Sequence, residues 1–96
     1  MKLYVLSPRA RDDLRAIWKF TAERWSVDQA ERYTRQIQQA IETVSADPAA
    51  GRSCDLIRAG YRKFPAGSNV IFFRETPDAI DIVRILHARM DFERHL

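Results

Sequence analysis

The 96 residues predict one α+β domain in the order β-α-α-β-β-β, with an antiparallel helical hairpin packed on one face of a mainly antiparallel sheet. Three observations carry this fold class. In the first half, two stretches with apolar residues at helical spacing stand almost back to back, each opened by a capping serine. In the second half, apolar, β-branched and aromatic runs alternate with Pro- and Gly-containing turns. A short apolar run near the head of the chain adds a strand before the helices. Helices joined by so short a connection fold back on each other, and their apolar stripes then need a sheet to cover.

Leu3 to Leu6 is the first strand, stopped by Ser7-Pro8. Ser7 suits a helix N-cap and Pro8 the first helical position, where its missing N–H costs nothing. Asp12 and Asp13 sit early, where the helix dipole favours acids. Ala10, Leu14, Ile17, Trp18 and Thr21 follow the helical rhythm as a buried face, with Trp18 expected in the core. The helix fades near Arg24-Trp25, and Ser26-Val27-Asp28-Gln29 reads as a capping box. A second, longer helix carries Ala30, Tyr33, Ile37, Ala40, Ile41 and Val44 on one stripe. Pro48 ends it, leaving Ala49-Ala50-Gly51 as loop.

Leu56-Ile57-Arg58 leads into a strand over Gly60 to Phe64, and Pro65-Ala66-Gly67-Ser68 is a turn. Val70 to Arg74 is the next strand, Thr76-Pro77-Asp78 another turn, and Ala79 to Leu86 the last strand. The last two strands are apolar on both faces. The hairpin covers one face, and no helix is left to cover the other, which predicts a missing partner there.

Composition narrows the function classes. Hydrophobic residues make up 46% and charged residues 30%, a globular balance. The apolar run after Met1-Lys2 is too short for a signal peptide, and no stretch approaches the roughly 18 apolar residues of a membrane span. The single cysteine, Cys54, forms no internal disulfide or metal cluster, lies in a polar loop with no expected role, and fits a reducing cytoplasm. The net charge of +3 is dominated by arginine, whose planar fork suits bidentate recognition of carboxylate or phosphate. Acidic protein, nucleic acid and phosphate all stay open as partners.

Four stretches in register point to a family. "LSPRARDDLRAIWKF", "AERYTRQIQQAIETVSADPAAG", "IRAGYRKF" and "IVRILHARMD" resemble the ParE branch of the RelE/ParE toxin superfamily over nearly the whole chain. Arg84-Ile85-Leu86-His87 followed by Met90-Asp91, and Gly60-x-Arg62 after Ile57-Arg58, are the most specific pieces. Phe73 stands where many relatives carry tyrosine, and Asn69 where a bulkier ring is common. The resemblance implies a single RelE/ParE-like domain over residues 1–96 that is the toxin of a type II toxin–antitoxin pair. It further implies a ParD-like antitoxin that lies along the toxin, a cytoplasmic location, no cofactor, and DNA gyrase as the target.

The ribonuclease branch of the superfamily supplies the rival expectation. RNA cleavage needs a base, an acid and cations for the developing phosphorane charge. Arg58, Arg62, Lys63 and Arg84 offer cations, and His87 a proton carrier. A convincing second acid–base group is missing: the middle strand has one lysine, Lys63, and no tyrosine follows Tyr61. The sequence therefore favours a binding toxin over an enzyme, with an inactive homologue that only binds its antitoxin as a further alternative. Direct nucleic-acid binding is disfavoured because no segment reads as a recognition helix.

The candidate contact residues for antitoxin or target are Trp25, Arg58, Arg62, Arg74, Arg84, His87, Arg89, Met90, Asp91 and Phe92. Each has a plainer role beside the functional one. Arg62 and Arg84 could pair with acids such as Asp81 and knit the sheet. His87 could be a structural hydrogen-bonder, and Trp25 either core or exposed anchor. His87, Asp91 and His95 fall at helical spacing, but a chain end offers little support for a metal. Residues 87–96 combine Met90, Phe92 and Leu96 with a polar rim, a pattern that suits docking.

Overall fold

The computed structural model describes residues 3–96, and Met1 and Lys2, the head of the N-terminal run, lie outside the described residues. Its elements are β1 (Leu3–Leu6), α1 (Pro8–Arg24), α2 (Val27–Ala46), a single 3-10 turn (Pro48–Ala50) in place of the expected loop, β2 (Arg52–Ser53), β3 (Tyr61–Ala66), β4 (Asn69–Glu75), β5 (Ala79–His87) and α3 (Phe92–His95). The sheet order is β1-β5-β4-β3-β2, with β1 parallel to β5 and the other neighbours antiparallel. The α+β class and the helical hairpin on a mainly antiparallel sheet are as expected. The two-residue β2 and the one-turn α3 are additions that local pattern is too short to signal.

Both capping serines act as caps. Ser26 Oγ accepts the Gln29 N–H at 3.0 Å. Ser7 Oγ accepts the Ala10 N–H at 3.0 Å and also donates to the Val83 carbonyl at 2.7 Å, which ties the start of α1 to β5. Asp12 and Asp13 do not serve the dipole, because neither lies in the first turn of α1. Asp13 is used by the sheet instead.

The main core lies between the hairpin and one sheet face. Ile37, Ile41 and Val44 of α2 meet Ile71, Phe73, Ile80, Ile82 and Ile85, all at most 2% exposed. Burying each such side chain contributes about 1.5–3 kcal/mol. Trp18 is not part of this core. It is 37% exposed, since α1 buries only the narrower stripe of Ala10, Leu14, Ile17 and Thr21.

A register shift between β4 and β5 organises both faces of the sheet. Phe73 pairs with Ile82 and Phe72 with Arg84, so Val83 is an extra residue on β5. Strict alternation after Ile80 and Ile82 would send Arg84 into the main core. The bulge turns Arg84 to the far face and lets Ile85 fill the core position. The far face then carries a second core of Phe72, Leu86 and Cys54, covered by Ile57, Tyr61, Val70, Phe92 and Leu96. Phe92 meets Phe72 edge-on with ring centroids 4.7 Å apart. Much of the cover expected from a partner is thus supplied by the chain itself, and Cys54, expected in a polar loop, is 5% exposed.

The β3–β4 connection is tighter than the expected four-residue turn. Pro65 and Ala66 stay in β3, opposite Val70 and Asn69, so only Gly67-Ser68 turns. Gly67 has φ +61, which suits the first position of a two-residue hairpin turn. Its missing side chain also matters, because a Cβ there would stand 2.5 Å from the Tyr33 ring.

Candidate functional site

β1 is paired only as far as Leu6 with Ile82, whereas β5 continues to His87. From the bulge onward, the outer edge of β5 therefore has no strand beside it. α1 supplies a substitute: Asp13 Oδ2 accepts the Ile85 N–H at 2.9 Å. The same carboxylate takes a two-pronged bond from Arg84, with Nε at 2.8 Å and Nη2 at 2.9 Å. The third nitrogen, Nη1, donates to the His95 carbonyl at 3.0 Å. Arg84 thus joins α1, β5 and the C-terminal turn, and Asp13 holds its guanidinium pKa above the ordinary value. The pairing with Asp81 that strand proximity suggested does not form. Asp81 accepts from Arg74 Nε at 3.2 Å instead.

Beyond Asp13 the gap between α1 and the β5 edge widens into a groove of about 630 Å³. Ala16, Ile17 and Phe20 form one wall; Ile85, Leu86 and His87 form the other. Trp25 and Met90 stand at its rims, and Gln29, Tyr33, Ser68 and Asn69 close one end. Most polar groups at that end are already engaged. The Tyr33 hydroxyl donates to Asn69 Oδ1 at 2.6 Å and accepts the Ser68 N–H at 3.0 Å. The apolar walls therefore dominate what the groove offers a ligand. Phe20 is 63% and Trp25 71% exposed, a costly display of aromatic surface for an unpartnered domain.

Of the ten sequence candidates, the groove brings together Trp25, Arg84, His87 and Met90. Arg89 is exposed, and its N–H donates to His87 Nδ1 at 3.1 Å. Asp91 caps α3 through the Glu93 N–H, and Phe92 is engaged in the second core. Arg58, Arg62 and Arg74 stand elsewhere: Arg58 lies over the Tyr61 ring at 5.5 Å, and Arg62 donates to the Gly51 carbonyl at 2.9 Å. His87 closes β5 while His95 closes α3, so the helical spacing of His87, Asp91 and His95 is not realised on one helix. Among the described residues, no group of three His, Cys, Asp or Glu side chains could hold a metal ion.

Sequence reasoning missed Asp13, Phe20, Tyr33 and Asn69 as groove residues. Phe20 did carry a signal, being a large apolar residue off the buried stripe of its helix. Asn69 carried another, since a polar residue where a ring is common needs a buried partner, here Tyr33.

Comparison with known proteins gives this geometry a family. The model of the ParE toxin of type II toxin–antitoxin system, parDE, matches residues 4–92. The chain belongs to the ParE toxin family. It is 53% identical over 94 residues to Toxin ParE1 of Mycobacterium tuberculosis, covering 97% of this chain and 96% of that one. Identity to Toxin ParE1 of Caulobacter vibrioides is 42% over 96 residues, covering 100% and 99% of the two chains. A solved structure of the chromosomal ParDE TA system from P. aeruginosa superposes with a TM-score of 0.79 at 22% identity, over 91% of this chain and 96% of that chain. As a ParE-family member the chain is the toxin of a type II toxin–antitoxin system, and its groove is a feature of a toxin surface.

Proposed function

We propose that this ParE-family toxin acts by gripping DNA gyrase in the cytoplasm and making no covalent change, and that a ParD-like antitoxin holds it through the groove beside β5. The apolar groove with exposed Phe20 and Trp25 carries the antitoxin half of this reading. An amphipathic segment laid into it would bury those rings. The binding half is supported by how the cationic and titratable groups are committed. Arg84 commits a donor from each of its three nitrogens to Asp13 or the His95 carbonyl, and His87 Nδ1 is occupied by the Arg89 N–H. A cleavage site would need such groups converging on one reacting phosphate.

The test is expression of the chain from a tight promoter, alone and together with the antitoxin encoded beside it. Growth arrest with the chain alone and rescue on co-expression are expected. The double substitution Phe20→Ala with Trp25→Ala should weaken antitoxin capture by roughly 100-fold or more, as hot-spot aromatics do. Normal growth with abundant chain made alone would contradict the toxin role, and full capture by the double variant would contradict the groove.

A further inference from the structure

The loop between β2 and β3 is built for display. Its two ends are anchored, since Cys54 is 5% exposed and Ile57 packs on the second core. Four backbone N–H groups of the loop are tied down. The Asp55 N–H donates to Ser53 Oγ at 3.3 Å, and both the Ile57 and Arg58 N–H groups donate to the Cys54 carbonyl at 2.9 Å. Asp55 Oδ1 then accepts the Gly60 N–H at 2.8 Å, across a turn in which Gly60 takes φ +83. That bond also holds the Asp55 carboxyl below its ordinary pKa, so the tie is intact at neutral pH. At the tip of this braced loop Leu56 is 103% exposed. A single exposed leucine on a mobile loop would need no explanation. One held rigid loses little entropy on docking, which is the condition for an effective anchor.

A second observation concerns charge. Arg52 and Lys63 stand directly opposite each other in the β2–β3 register, and like charges so placed are destabilising. Neither makes an ion pair among the described residues, nor does Arg58 nearby. Arg58 and Lys63 lie over the Tyr61 and Phe92 rings, 5.5 and 5.9 Å from the centroids, but no carboxylate among the described residues pairs with them, whereas Arg74 and Arg84 each have an acid.

We propose that the Ser53–Gly60 loop and the cations beside it form the surface that meets the toxin's cellular target, with Leu56 seating in an apolar pocket that has an acidic rim on a protein. A nucleic acid is the poorer fit. Single strands are held by stacking on open aromatic rings, and the Tyr61 ring here lies under Arg58. The loop also shares no lining residue with the groove, so target and antitoxin contacts separate. The inference has the toxin role proposed above as its premise.

The test uses the full chain induced in a bacterial host without antitoxin, with chain level followed by immunoblot and the melting midpoint of the purified chain as the folding control. Leu56→Ser, Arg58→Glu and Lys63→Glu should each relieve growth arrest at unchanged chain level, with the midpoint unchanged for Leu56→Ser and a cooperative unfolding transition kept by both reversals, from a weakening of target binding of roughly 30-fold for the anchor. Leu56→Met, which keeps the apolar tip, should arrest growth like the parent. Arrest by Leu56→Ser at the parental level overturns the inference. Relief by the two charge reversals but not by Leu56→Ser also overturns it, and assigns the surface to a polyanion such as RNA. A parental chain that fails to arrest growth overturns the toxin role and this inference together, whereas a toxic parent with an equally toxic Leu56→Ser variant overturns the inference alone.

Discussion

Arg84 shows how far a single side chain can be from the role its position suggests. In the sequence it is a cation near the end of a strand, open to target contact or to a neighbouring acid. In the fold its side chain is 13% exposed and carries three bonds, two to Asp13 and one to the His95 carbonyl. Asp13→Ala would leave both the guanidinium and the Ile85 N–H without that partner. Breaking a largely buried pair from one side costs about 3 kcal/mol, which for a chain of this size lowers the melting midpoint by roughly 15 °C. Calorimetry of Asp13→Ala should show that drop, and growth arrest at low temperature should survive it. Cys54 supplies a pH prediction. Burial raises its thiol pKa more than Lys63 lowers it. The folded value exceeds the unfolded one, so this contribution to stability is complete below the unfolded thiol pKa and fades as pH rises through the folded value. Melting midpoints measured across the alkaline range should fall for the parent chain, and Cys54→Ala should flatten that slope.

At the scale of elements, legibility followed the length and regularity of the signal. Both long helices could be read because serine caps, Pro8, Pro48 and apolar spacing agreed with one another. The β5 bulge could not, because Arg84 in phase with Ile80 and Ile82 is a weak break in a strand apolar on both faces, and only three-dimensional pairing exposes Val83 as the extra residue. The far face was misread for that reason and because α3 is only four residues long. Removing residues 92–96 should therefore uncover Phe72, Leu86 and Cys54, and the Cys54 thiol should react with a disulfide reagent under native conditions, where the full chain is protected. A truncated chain that stays protected would contradict the cover assigned to Phe92 and Leu96. The β3–β4 turn makes a sharper claim. Gly67→Ala sets a Cβ against the Tyr33 ring at a positive φ, at a cost of roughly 2–4 kcal/mol visible in a denaturant titration.

For the whole molecule, the candidate site was half legible. Trp25, His87 and Met90 sit in local sequence that already marked them as unusual, whereas the groove depends on α1 running past the end of β1, which is a property of lengths and not of any residue. The fold places an apolar groove on one side of β5 and a braced loop, flanked by Arg52 and Lys63, between β2 and β3. An antitoxin segment trimmed to the groove contact should therefore bind the toxin yet neutralise it incompletely, as read by co-purification set against growth rescue. The central claim, that the toxin acts by gripping and not by cutting, is tested most directly by supercoiling with purified DNA gyrase and the purified full chain. Inhibition that rises with chain concentration, is relieved by the intact antitoxin, and leaves added messenger RNA whole in a translation mix is the predicted result. Undiminished supercoiling together with cleaved messenger RNA would contradict it.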